Sequence, residues 1–211
     1  MKVQEDRQGN LDKETQLQEI AEEVDDLRES PLYSYRKKHN YQAVPGEGAV
    51  NARIVFVGEA PGAQEAATGR PFTGQAGSLL DELLESIGIQ RDQVFITNLV
   101  KDRPPGNRDP NQDEIAIYGP FLIRQINIIQ PAVIATLGRI AMVFFLKYYN
   151  LEQKNQKIGE LHGKILEAQA GYGVVKIVPL YHPAAAFYRQ DLQNTMRDDF
   201  KVLKDDHYLH S

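Results

Sequence analysis

Four short apolar runs, separated by helical stripes, constrain this chain most. Ile54-Val55-Phe56-Val57, Val94-Phe95-Ile96-Thr97, Val133-Ile134-Ala135-Thr136 and the run from Val174 to Val178 are largely continuous rather than alternating. That is the pattern of strands buried on both faces. Between the first two, Ala76, Leu79, Leu80, Leu83, Leu84 and Ile87 recur at helical spacing, and Gly88 ends the stripe. Asn111 with Glu114 three residues on forms a capping box that opens a helix over 111–130, with Pro120 set to kink it. Gly138 leads into an apolar helix through Leu146, and Leu192, Met196, Phe200 and Leu203 mark a closing helix. Strands alternating with helices imply a parallel sheet covered on both sides. The expected fold is α/β, three layers (α/β/α) around a central, mostly parallel four-stranded sheet. A small extra strand is expected near 165–166.

The N-terminus reads differently. Residues 1–30 carry ten acidic and four basic side chains, whereas the remainder is near balance with twenty basic and nineteen acidic. The net charge of -5 therefore belongs to the leader. Residues 1–10 read as disordered, and Leu17, Ile20, Ala21, Val24 and Leu27 then form the apolar side of a helix that docks on the body. The chain divides into an acidic extension, 1–30, and one domain, 31–211. With 42% hydrophobic and 25% charged residues it suits a soluble globular protein. No apolar run reaches bilayer length and no signal peptide is evident, so a cytoplasmic location is expected. The chain has no cysteine, which excludes disulfides, thiolate catalysis and cysteine-held metal.

In parallel sheets the ligand sits beyond the carboxyl ends of the strands. Three unusual polar stretches begin there: Gly58-Glu59-Ala60-Pro61-Gly62 with its continuation through Glu65, Phe72 and Gly74; Asn98 through Arg108; and Tyr181-His182-Pro183. They should meet in one crevice. Taken singly, each has a bland reading. The first is a Gly-rich turn with solvated carboxylates, and it lacks the Gly-Lys-Ser/Thr of a phosphate loop. Asn98 offers a donor and an acceptor on one edge, suited to the polar edge of a base, yet an Asn closing a strand more often bonds its own backbone. The loop holding Lys101, Arg103 and Arg108 can follow a sugar–phosphate backbone or merely be solvated. His182 can donate a hydrogen bond or stabilise a developing anion, and a lone His is more often structural. Phe187-Tyr188-Arg189 has the make-up of a wedge for a base stack, or of a helix start packed on the core.

Together, Val57-Gly58-Glu59-Ala60-Pro61-Gly62, Thr68-Gly69-Arg70-Pro71-Phe72, Ile96-Thr97-Asn98, Lys101, Arg103-Pro104-Pro105-Gly106-Asn107-Arg108 and His182-Pro183-Ala184 strongly resemble the family 4 uracil-DNA glycosylases. The fit runs over about 44–203. The resemblance implies the uracil-DNA glycosylase fold and a monofunctional repair enzyme that flips uracil out of single- or double-stranded DNA. It also implies a monomer in the cytoplasm, at the nucleoid. In that reading Phe72 stacks on the base, Asn98 reads its edge, His182 stabilises the leaving charge, and backbone groups of Gly58, Ala60 and Gly62 line the pocket. Glycosidic cleavage builds positive charge on the sugar, so a carboxylate is needed to orient a water. Glu59 and Glu65 are both candidates, Glu59 being nearer the strand end. Asn107 is a further pocket or phosphate contact, and Lys101, Arg103, Arg108, Phe187, Tyr188 and Arg189 are DNA contacts. No lysine Schiff base and no metal is required. A related branch links covalently to DNA through a loop histidine; residues 101–110 contain none.

One departure is plain. Family 4 members typically hold a four-iron, four-sulfur cluster through four cysteines. Here Asp102 stands where the third would fall, Tyr118 near the fourth, and Pro31 and Ser34 roughly at the first pair. No cofactor is therefore expected. Two other readings stay open: a DNA-binding module that has lost catalysis, and an enzyme for free nucleotides. The retention of Phe72, Asn98 and His182 argues against the first, and Arg103, Arg108 and 187–189 against the second.

Overall fold

The computed structural model describes residues 2–189 and 191–204, with side chains from residue 9 onward. In chain order these form α1 (Lys2–Asp25), α2 (Tyr33–Lys38), β1 (Glu47–Gly48), β2 (Ile54–Gly58), α3 (Ala63–Thr68), α4 (Gln75–Ser86), β3 (Phe95–Asn98), α5 (Gln112–Ile129), β4 (Val133–Leu137), α6 (Arg139–Tyr148), α7 (Ile158–Leu161), β5 (Leu166–Ala170), β6 (Gly173–Leu180) and α8 (Asp191–Phe200). Short 3-10 turns lie among them.

The sheet runs β1-β3-β2-β4-β6-β5. It has six strands, not four. The four expected strands form its parallel centre, while β1 and β5 close its edges antiparallel. The small strand expected near 165–166 is the start of β5 (Leu166–Ala170), whereas β1, two residues long, had no signal. Alternation along β2 divides the core. Val55 and Val57 pack with Leu122 and Ile126 of α5 and Phe145 of α6. Ile54 and Phe56 pack with Leu80 and Leu84 of α4 and Met196 and Phe200 of α8. The result is the expected three-layer α/β/α arrangement.

The leader is helical from Lys2, where the sequence suggested disorder over 1–10, and Met1 lies outside the described residues. Ile20 and Val24 are fully buried, and Arg124 of α5 grips Glu23 with both terminal nitrogens, at 2.5 and 2.7 Å. The acidic leader thus forms part of one sheet face's cover. Asn111 and Glu114 make the anticipated capping box, and Pro120 sits within α5 without ending it. Among the described residues no helix is long and apolar enough to cross a membrane.

Register positions the site. Gly58 pairs with Asn98 across β2 and β3, and Leu137 with Leu180 across β4 and β6. The loops leaving all four parallel strands therefore open on one edge of the sheet.

Candidate active site

At that edge lies a cavity of about 770 Å³. Its walls bring together Glu59, Ala60, Glu65, Phe72, Asn98, Asn107, Arg108, His182 and Tyr188 from all three polar stretches. The floor is built by close approach. A Cβ on Gly58 would lie 2.3 Å from Asn98 Oδ1 and 2.8 Å from Phe72 Cζ, so a side chain there would displace both. Asn98 is 2% exposed, and its Oδ1 has no hydrogen-bond partner among the described residues. The bland reading, an Asn bonded to its own backbone, does not hold. A buried acceptor left open costs free energy unless a ligand completes it.

Phe72 is held under strain. Its φ is 49°, in the left-handed region that bulky side chains avoid. Its backbone rests on α4, where a Cβ at Gly77 would lie 1.8 Å from Phe72 O. Outside, Arg91 donates to Pro71 O at 2.7 Å while paired with Glu47 and Asp81. The Phe72 and His182 rings lie 5.6 Å apart, tilted by 30°.

His182 caps the turn that follows it. Its Nδ1 accepts the Ala184 N–H at 3.2 Å, so in the neutral ring Nε2 carries the proton. Burial pulls its pKa down to about 4, against a weaker upward pull from Glu65. The site therefore presents a neutral imidazole donor, not a cation.

The two carboxylates differ. Glu65 Oε1 accepts the N–H groups of Thr73 and Gly74, at 3.1 and 3.0 Å, and so clasps the loop that enters α4. Burial, then the neighbouring Asp109, raises the pKa of Glu59, while the Ile140 N–H and Arg139 oppose this. Asp109 is a pocket residue that the sequence reading missed. It lines the cavity and pairs with Arg139 at 2.9 Å. Nothing in a Pro- and Arg-rich loop distinguishes it from a solvated acid.

The expected DNA contacts separate into four kinds. Phe187 and Tyr188 are exposed, 47% and 90%, with Tyr188 on the cavity rim. Arg108 and Arg189 are tied to acids: Arg108 to Glu114 at 2.6 Å and Arg189 to Asp191 at 2.5 Å. Arg103 makes no ion pair among the described residues; Tyr41 OH and Asn107 Oδ1 hold it, at 2.6 and 2.7 Å. Lys101 departs from its expected role. It is 0% exposed and points into the core, so it does not touch a backbone phosphate. Leu99, Val100 and Asp102 around it are buried as well.

Behind the pocket lies a second polar locus. The Leu32 N–H donates to Ser30 Oγ at 3.1 Å, and Ser30 and the Tyr118 hydroxyl meet at 2.7 Å. Tyr118 donates to Asp102 Oδ2 at 2.7 Å. Asp102 Oδ1 faces Arg36 Nε at 3.1 Å as an ion pair, and Arg36 also holds the carboxylate and carbonyl of Asp25. Burial pushes the Asp102 carboxyl up, while Tyr118 and Arg36 pull it down. Asp102 and Tyr118 are the residues that the resemblance sets at cluster positions. An iron–sulfur cluster needs thiolates; this locus supplies a carboxylate, two hydroxyls and a guanidinium already bonded to one another. The residues present do not fit the group. Among the described residues no three His, Cys, Asp or Glu side chains are grouped to hold a metal ion.

Known proteins place this geometry. The model of the uracil DNA glycosylase superfamily matches residues 45–204. A type-4 uracil-DNA glycosylase of Saccharolobus solfataricus is 45% identical over 88% of this chain and 84% of its own. That of Archaeoglobus fulgidus is 44% identical over 89% and 91%, and that of Thermotoga maritima 42% over 91% and 95%. A type-5 enzyme of Pyrobaculum aerophilum is 32% identical over 67% of this chain and 65% of its own. The chain belongs to the uracil DNA glycosylase superfamily, among its type-4 members.

Proposed function

We propose that this DNA-repair glycosylase flips uracil into the cavity and hydrolyses its N-glycosidic bond with water alone, leaving an abasic site. Phe72 stacks on the flipped ring. Asn98 Oδ1 accepts the N3–H of uracil and its amide donates to O4; cytosine presents the reverse pattern and is rejected. As the bond breaks, negative charge spreads over the pyrimidine, and the neutral His182 Nε2–H donates to its carbonyl oxygen. Glu59 orients the water, because Glu65 already spends one oxygen on the loop backbone. Tyr188, with Phe187, enters the gap left in the stack, and Arg103 contacts the flanking phosphate. The substrate is uracil-containing DNA, single- or double-stranded. The enzyme acts as a monomer in the cytoplasm, at the nucleoid, and holds no iron–sulfur cluster.

The observation that carries this reading is the open, buried Asn98 Oδ1 set against the Phe72 ring. Labelled oligonucleotides with one uracil, hypoxanthine, xanthine or cytosine test it in the presence of a chelator. Strand scission is expected for uracil, only after alkali, with cytosine inert. Scission without alkali would show a lyase, and inert uracil would overturn the reading. Iron and sulfide assays with a visible spectrum test the cofactor: a brown protein is the contrary result.

A further inference from the structure

Lys101 is the one expected DNA contact that the fold takes out of solvent, and its surroundings give it a different task. The side chain is fully buried, and its Nζ lies 2.7 Å from Thr97 Oγ1, 2.8 Å from Asn98 O and 2.7 Å from Gln125 Oε1. Two of these neighbours are committed elsewhere. Thr97 Oγ1 lies 2.8 Å from Pro45 O, and Gln125 Nε2 lies 2.8 Å from the same carbonyl. With Pro45 O accepting from both, Thr97 Oγ1 and Gln125 Oε1 face Lys101 as acceptors, and Asn98 O is always one. Three acceptors call for three N–H donors, which an ammonium has and a neutral amine lacks. A neutral amine would require Thr97 to turn its proton away from Pro45 O, leaving two oxygens at 2.8 Å with no proton between them. Burial works the other way and draws the lysine pKa well down. Among the described residues Lys101 has no carboxylate partner, since neighbouring Asp102 is committed to Arg36 and Tyr118.

Lys101 sits behind the residue that reads the base. It holds the Asn98 carbonyl while the Asn98 side chain points into the pocket with its oxygen open. In a water-excluded interior a fixed charge acts at longer range than in solvent. We propose that Lys101 is kept as a buried ammonium that fixes Asn98 in place and lends positive potential to the departing uracil anion. It is a positioning residue acting from beneath the pocket, not a DNA contact. The inference rests on the uracil excision proposed above.

Lys101→Met, similar in length and uncharged, provides the test, with single-turnover excision of uracil and of 5-fluorouracil from the same oligonucleotide. Fluorine withdraws electrons, so the fluorinated base leaves more readily and needs less help with its charge. A loss of roughly tenfold to a hundredfold is expected for uracil, and a clearly smaller loss for 5-fluorouracil. Equal losses would reduce Lys101 to a packing residue and overturn the charge role; no loss would overturn the inference entirely. Should the variant not fold, nitrogen-15 NMR of the wild-type lysine Nζ decides: an ammonium at neutral pH supports the inference and an amine sinks it. Wild-type protein inert on both bases would instead indict the excision reading itself.

Discussion

The pocket and the polar locus of Ser30, Tyr118, Asp102 and Arg36 share the chain that leaves β3, at Asn98 and at Asp102, and they treat their polar atoms in opposite ways. In the pocket Asn98 Oδ1 is buried and open, His182 Nε2 is free to donate, and Phe72 is held at a strained φ. Behind it, Ser30, Tyr118, Asp102 and Arg36 bond or pair with one another. Residues that act on a substrate are left unfinished so that the substrate can complete them. Residues that only hold the loop are paired among themselves, with Asp102 Oδ1 and Arg36 Nε meeting as an ion pair without hydrogen-bond geometry. Helix α5 serves this second purpose twice on one face: Tyr118 holds Asp102, and Gln125, two turns on, holds Lys101.

Substitutions should separate the two regions. The largest effect is expected from Asp102→Ala, which removes the acceptor of Tyr118 and one of the two carboxylates paired with the buried Arg36; denaturant unfolding should show a loss of about 3–5 kcal/mol. The protein that remains folded should excise uracil at the wild-type rate, and a matching fall in that rate would merge the two regions. Asn98→Ala and His182→Ala should do the reverse. Each is expected to slow single-turnover excision about 10²- to 10³-fold, or about 3–4 kcal/mol, with the melting temperature unchanged. Near wild-type turnover in both would remove the pocket assignments. Tyr118→Phe deletes one hydroxyl that makes two buried hydrogen bonds, and should cost about 1–3 kcal/mol of stability and no activity.

The smallest effect expected is on pH dependence. His182 is neutral in the folded protein down to about pH 4, so the excision rate should have no acid limb near its ordinary value of 6.5. A limb there that vanishes in His182→Gln would contradict the neutral donor. Its share of stability follows the same sign. The folded pKa lies below the unfolded one, so this contribution is whole above about pH 6.5 and is lost as pH falls through about 4.

Much of the site was legible because strand ends in a parallel sheet converge. Phe72, Asn98 and His182 lie far apart in sequence, yet each follows an apolar run, and the register of β2, β3, β4 and β6 brings them together. Of the edge strands, β1 was not legible, since two residues carry no pattern, and β5 was legible only at its start, since an alternation as weak as Leu-Glu-Ala-Gln-Ala carries little. Asp109 and Tyr41 also escaped, because a loop acid and a lone Tyr look the same whether they serve a site or face solvent.

The linear chain by itself determined the parallel centre of the sheet, the edge where the pocket opens, and the lack of any thiolate. Those follow from periodicity and residue type, which are local. Only the tertiary structure decided which way each polar side chain points. Lys101 and Arg103 are two residues apart in one polar loop, yet the first is sealed in the core and the second stands partly exposed beside the pocket, free of any carboxylate among the described residues. Direction after a strand end depends on what packs beneath it, here Gln125 and Thr97 under one side chain and Tyr41 beside the other.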